Sequence, residues 1–148
     1  LTVRENLEVG AFLRNDELIK VIEEIYELFP ILKEKRNQNT GELSGGQRQQ
    51  VAFGRALMTL PKILMLDEPT RGVDIGAKQE IFYIMRKLAE KGISIIFVSS
   101  EIKEVLAVAD RVLVLAKGKI HRELLGRVPV VRSFNVFEVW RRRRCHVY

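Results

Sequence analysis

Apolar residues at Leu18, Ile19, Ile22, Ile25, Tyr26 and Phe29 recur at helical spacing and stop at Pro30. This predicts an amphipathic helix after a short opening from Leu1 to Asn15. A polar loop from Glu34 to Glu42 follows, and Val51, Leu57 and Met58 then belong to a second helical run that begins at Gly45 and ends near Pro61. There the pattern changes. Ile63-Leu64-Met65-Leu66 is an unbroken apolar run, the pattern of a strand buried on both faces of a parallel sheet. Ile81, Ile84, Met85 and Leu88 mark a helix from Ala77 to Lys91, closed by Gly92, and Ile93 to Val98 reads as another buried strand. Glu101 to Ala109 is a short helix, and Arg111 to Ala116 and Lys119 to Leu124 flank Lys117-Gly118 as a hairpin. From Arg127 the apolar residues lose any consistent period.

Strand, helix, strand, helix in this order predicts an α/β fold, a parallel sheet with crossover helices, preceded by a mainly helical part. With 148 residues, 47% of them hydrophobic, the chain suits one domain with one core. The expected division is a domain over residues 1–126, helical to residue 60 and α/β from 61, then a basic, poorly ordered tail over 127–148. The formal charge of +6 would fit a nucleic-acid or membrane-surface partner if it were spread over the domain. It is not. Arg127, Arg132 and Arg141 to Arg144 stand in the tail against one acid, Glu138, whereas the first 126 residues hold 19 basic and 18 acidic side chains. No nucleic-acid partner is therefore expected. The one cysteine, Cys145, excludes an internal disulfide and a cysteine-based metal site. No apolar stretch approaches the length of a membrane span.

Two segments carry chemistry. Leu43-Ser44-Gly45-Gly46-Gln47 has the S-x-x-Q form of a capping box at the start of its helix, where the first N–H groups have no intrahelical acceptor. Those donors and the positive end of the helix dipole favour a phosphate, and Gly45 and Gly46 let a ligand or another surface approach the backbone. Asp67 and Glu68 follow the Ile63 to Leu66 run, at the carboxyl end of a parallel strand, where ligands bind in open α/β sheets. Neighbouring residues leaving a strand point apart, so one carboxylate can hold a hard cation while the other faces a water.

With these residues in this order, the chain resembles the ATP-binding subunit of an ABC transporter from about Leu1 to Gly126. The resemblance implies a P-loop NTPase-like sheet with an α-helical signature subdomain, and ATP and Mg2+ as cofactors. It implies that Ser44, Gly45, Gly46 and Gln47 contact ATP held by the opposite subunit of a head-to-tail dimer. Asp67 would help bind Mg2+, in part through water, and Glu68 would be the general base for the hydrolytic water. Asp74, in Arg71-Gly72-Val73-Asp74, holds the position of the family's D-loop. Transmembrane permease subunits and a peripheral place on the cytoplasmic face of the inner membrane follow from the same resemblance.

The chain departs from the family in two ways. No G-x-x-x-x-G-K-[ST] phosphate loop, Q-loop or adenine-stacking aromatic occurs in it, and Leu1 to Leu7 resembles the segment just after the Q-loop. The expectation is a domain lacking its N-terminal part, with somewhat more than half present. Ser100 stands where most members have a histidine that contacts the γ-phosphate, and a serine hydroxyl is shorter and carries no charge near neutral pH. As to subfamily, Tyr26 to Pro30 with Glu34 to Gln38 resembles branched-chain amino-acid importers, ranked first. Thr70 to Lys78 and Val98 to Glu101 resemble the second ATPase half of sugar importers, ranked second. The alternatives are a catalytically inactive piece that presents Ser44 to Gln47 to another subunit's ATP, and a soluble ABC ATPase acting outside transport.

Overall fold

The computed structural model describes residues 1–12, 14, 17–125 and the backbone of 134–139. The arginine run at 141–144, Cys145 and the flanks of residues 134–139 lie outside the described residues.

Thr2 opens the first helix, α1 (Val3–Gly10), through a capping box. The Glu5 N–H donates to Thr2 Oγ1 at 3.2 Å and the Thr2 N–H donates to Glu5 Oε2 at 2.7 Å. The segment is pinned from the other side, because the Val3 and Arg4 N–H groups donate to the carbonyls of Gln38 and Arg36. The periodic run forms α2 (Leu18–Leu28). Pro30 ends it and also begins α3 (Pro30–Glu34), since the fixed φ of proline suits the first helical position. A 3-10 turn, Thr40–Glu42, leads to α4 (Gly45–Leu57).

Helices α1 and α4 cross closely through glycine. A Cβ on Gly54 would meet Leu7 Cδ2 at 2.8 Å and Ile25 Cγ2 at 3.2 Å, so the missing side chain lets the first two helices pack against the fourth. Phe29, Phe53, Phe97, Met58 and Met85 are fully buried. They belong to one apolar core that joins these helices to the strands.

The strands are β1 (Ile63–Asp67), β2 (Ser94–Val98), β3 (Arg111–Ala116), β4 (Lys119–Leu125) and β5 (Phe134–Val139). Helix α5 (Ile75–Glu90) connects β1 to β2, and α6 (Ile102–Val108) connects β2 to β3. Among the described residues they form one sheet of order β1-β2-β5-β3-β4. All neighbours are parallel except the β3–β4 hairpin. Lys117 (φ 53°) and Gly118 (φ 74°) both adopt the left-handed region, as a tight two-residue hairpin turn requires.

Three expectations need correction. First, β1 is not buried on both faces: Leu64 is 4% exposed, but Ile63 and Met65 are 57% and 75% exposed. The strand lies at the sheet edge, and the helices described cover the Leu64, Ile95 and Phe97 side, leaving Met65 beside Ile96 on the other. Second, Phe134–Val139, inside the segment expected to be a tail, form a strand between β2 and β3. Pairing on both edges supplies partners for its backbone groups, a non-local gain that periodicity does not reveal. Third, the opening from Leu1 to Asn15, to which no element was assigned, contains α1, and Pro30, expected only to stop the preceding helix, also begins α3.

Candidate nucleotide site

At the carboxyl end of β1 the chain turns sharply. Glu68 has φ 47°, in the left-handed region that a non-glycine residue enters at a cost of about 1–2 kcal/mol. The turn is held by backbone bonds: the Glu68 N–H donates to the Val98 carbonyl at 2.8 Å and the Arg71 N–H donates to the Glu68 carbonyl at 3.1 Å. The first of these extends the β1–β2 ladder past Asp67, so Glu68 emerges beside the end of β2. Ser100, two residues after that strand, donates its hydroxyl to Glu68 Oε2 at 3.2 Å. Two residues 32 positions apart thus meet at the exposed carboxyl edge of the parallel sheet. Asp67 stands next to them, exposed.

This oxygen-only edge suits Mg2+. Among the described residues no group of three His, Cys, Asp or Glu could enclose an ion. Mg2+ is commonly held by one or two carboxylates, with water and phosphate oxygens completing its shell, and Asp67 supplies one such carboxylate.

The second part of the site is the start of α4. Ser44 caps it: the Gln47 N–H donates to Ser44 Oγ at 3.2 Å, and the Ser44 N–H donates to Gln47 Oε1 at 3.1 Å. Both residues keep donors after this exchange, the Ser44 hydroxyl proton and the Gln47 amide hydrogens, alongside the first-turn N–H groups of Gly45 and Gly46. Gly46 is buried because this end of α4 rests on the start of α5: a Cβ there would lie 2.6 Å from Ala77 Cβ. A Cβ on Gly45 would come within 3.4 Å of the Gly72 carbonyl oxygen. Asp74 caps α5 by accepting from the Ala77 N–H at 3.0 Å. The structure therefore gathers Ser44, Gly45, Gly46 and Gln47 with the Gly72 to Ala77 segment, and Glu68 with Ser100. Among the described residues no hydrogen bond links the first group to Glu68.

Sequence reasoning missed the buried polar residues behind this edge. Glu104 is 8% exposed and accepts from Thr70 Oγ1 at 2.5 Å, Ser99 Oγ at 3.3 Å and Lys78 Nζ at 2.7 Å. Burial pushes the Glu104 carboxyl up, but the hydrogen bonds from Lys78 and Thr70 outweigh it, and its pKa lies below the ordinary value. Lys78 is shifted upward by its bonds to Glu101 first and Glu104 second. A lysine four residues after the Asp74 cap was the one available signal, and it does not name its distant partner.

Comparison with known proteins finds relatives in sequence and in fold. The family model described as ABC transporter matches residues 1–71. Ribose import ATP-binding protein RbsA 2 of Burkholderia pseudomallei (strain 1710b) is 56% identical over 91 residues, 62% of this chain and 18% of the relative. Ribose import ATP-binding protein RbsA of Burkholderia pseudomallei (strain K96243) matches to the same extent. The chain thus spans under a fifth of the length of these curated relatives. Among solved structures, MJ1267, an ATP-binding cassette of an ABC transporter, aligns with TM-score 0.76 and 33% identity, covering 85% of this chain and 56% of that one. The dimeric MJ0796 cassette aligns with TM-score 0.72 and 28% identity, covering 86% and 58%. Both relatives are named for ribose import and neither for an amino acid. In sequence and in its P-loop NTPase-like sheet, the chain is similar to the ATP-binding cassettes of ABC transporters, a class of ATP-hydrolysing enzymes.

Proposed function

We propose that this chain works in the ATPase of an importer and energises uptake of a small sugar of the ribose type. The observation that carries the hydrolytic part is the Glu68 and Ser100 pair, 3.2 Å apart at the carboxyl edge of the parallel sheet, beside Asp67. Glu68 accepts the proton of the attacking water, and Ser100 orients the Glu68 carboxylate in place of the histidine usual at its position. Asp67 holds Mg2+, which neutralises phosphate charge when bound. Ser44, Gly45, Gly46 and Gln47 donate to the phosphates of ATP held by a second subunit, because a capped helix start offers several N–H groups to an anion. The close seating of Gly46 on Ala77 carries any movement of that contact to Asp74, in the position of the D-loop.

The sugar assignment rests on the 56% identity to ribose import proteins and on Thr70 to Lys78 and Val98 to Glu101, which resemble sugar-importer ATPases. Permease subunits would carry the solute, since no described helix is long and apolar enough to cross a membrane. The working place would be the cytoplasmic face of the inner membrane. ATP turnover by the importer assembled in vesicles tests the assignment. Ribose presented with its binding protein should stimulate turnover several-fold while leucine has no effect; stimulation by leucine alone would overturn the sugar assignment.

A second reading is favoured by one observation: the 148 residues contain no G-x-x-x-x-G-K-[ST] loop. On that reading the chain by itself only presents Ser44 to Gln47 to nucleotide bound elsewhere. Steady ATP hydrolysis by the purified chain, lost in Glu68→Gln, would exclude it.

A further inference from the structure

We propose that Glu104 is a positioning residue: its buried carboxylate ties together the turn after β1, the end of β2 and the start of α5, and so fixes the Glu68 to Ser100 spacing. This rests on the hydrolytic reading of Glu68 given above.

The two oxygens of Glu104 have separate tasks. Oε2 accepts from Thr70 Oγ1 at 2.5 Å and from Ser99 Oγ at 3.3 Å. Thr70 lies two residues after Glu68 in the same turn, and Ser99 immediately precedes Ser100. One oxygen atom thus grips both segments of the pair from behind. Oε1 accepts from Lys78 Nζ at 2.7 Å, and Lys78 also donates to Glu101 Oε1 at 2.7 Å. Lys78 belongs to the first turns of α5, where its N–H donates to the carbonyl of the cap residue Asp74 at 2.9 Å. Ser99 Oγ, while donating to Glu104, accepts from the Glu101 N–H at 3.1 Å, which sets the direction of its proton. Thr70 and Ser99 are each 2% exposed, so water does not compete for these bonds.

The reason for such a clamp is visible at Glu68. A glutamate at φ 47° keeps that backbone only where its surroundings over-determine it. The Ser100 hydroxyl is exposed and joined to Glu68 by one bond of ordinary length, which by itself would not hold two chain segments in register. Glu104 supplies the constraint from the dry side, with Lys78 keeping it ionised and therefore an acceptor only.

The experiment has two arms. In the first, amide hydrogen exchange is followed on the full 148-residue chain carrying Glu104→Ala, Glu104→Gln or Thr70→Val. Exchange at residues 68–71 and 99–101 should rise at least about tenfold in Glu104→Ala and less in Glu104→Gln, with the α4 amides unchanged. A uniform rise across the chain, or none at these residues, would overturn the proposal. Thr70→Val removes one bond only and keeps the test open if Glu104→Ala fails to fold. In the second arm, ATP turnover by the assembled ATPase should lose kcat about 10-fold or more in Glu104→Ala with KM nearly unchanged. Combining it with Ser100→Ala should add little further loss, because both act through the same pair. Full additivity contradicts the proposal. If Glu68 is not the base, the second arm fails while the first still responds, so the two failures are distinguishable.

Discussion

Gly46→Ala is the most informative stability variant, because the structure gives both the clash and its relief. An added methyl on Gly46 would sit 2.6 Å from Ala77 Cβ, whereas carbon atoms pack at about 3.5–4.0 Å. The starts of α4 and α5 must therefore separate by about 1 Å. Neither partner can turn away, since both are Cβ atoms fixed to helical backbone. Overpacking of this kind costs about 1–3 kcal/mol, and the better helix propensity of alanine returns at most about 1 kcal/mol. A net loss near 1–2 kcal/mol should lower the urea midpoint by about 0.5–1 M at a typical slope for a small domain. Ala77→Gly removes the opposing methyl. The double variant Gly46→Ala with Ala77→Gly should recover stability relative to the sum of the two single changes, and the coupling measures the contact directly. A Gly46→Ala protein more stable than the parent, or strict additivity in the cycle, would refute the close seating of α4 on α5.

The remaining expectations concern caps, strain and pH. Ser44→Ala removes one side of the capping box and should cost about 1 kcal/mol in urea unfolding, with Ser44→Asp nearly neutral; equal losses in both would point to something other than capping. Glu68→Gly should raise stability by up to about 1 kcal/mol by releasing the left-handed strain, while removing the carboxylate; a marked loss of stability would show that the backbone there is unstrained. The Glu104 pKa is lowered in the folded state, so its contribution to stability is complete above the ordinary carboxyl value of 4.5 and is lost as pH falls through the lower folded value. Lys78 stays charged across this range, its own pKa being raised, so it keeps favouring the carboxylate. Acid titration of the unfolding free energy should show a positive slope with pH in this window that is flatter in Glu104→Gln, and an unchanged slope would reject the assignment.

Local signals in the sequence carried the parts of the fold that depend on local chemistry. Ser44 with Gln47 announces the start of α4, and the structure forms both bonds of that box. Lys117-Gly118 likewise announces its turn. The same T-x-x-E signal stands at Thr2 and Glu5, yet the few apolar residues after it show too little period to read α1. The placing of Asp67 and Glu68 followed from the strand before them, but that strand's burial did not. A continuous apolar run states what a strand can bury, while the layers available to cover it decide what it does bury, as Met65 shows. Partners 30 or more positions apart, such as Ser100 with Glu68 and Thr70 with Glu104, have no local signature. The central place of β5 is non-local in the same sense, since its edges are defined only by β2 and β3.

In the proposed mechanism Glu68, held against Ser100, takes the proton of the attacking water. Phosphate release by the assembled ATPase at saturating Mg2+ and ATP, measured beside nucleotide occupancy, tests it most directly in the parent and in Glu68→Gln. Occupancy should be unchanged and release slowed at least about 100-fold, the scale of a lost general base. Release within a factor of two of the parent, at equal occupancy, would contradict it.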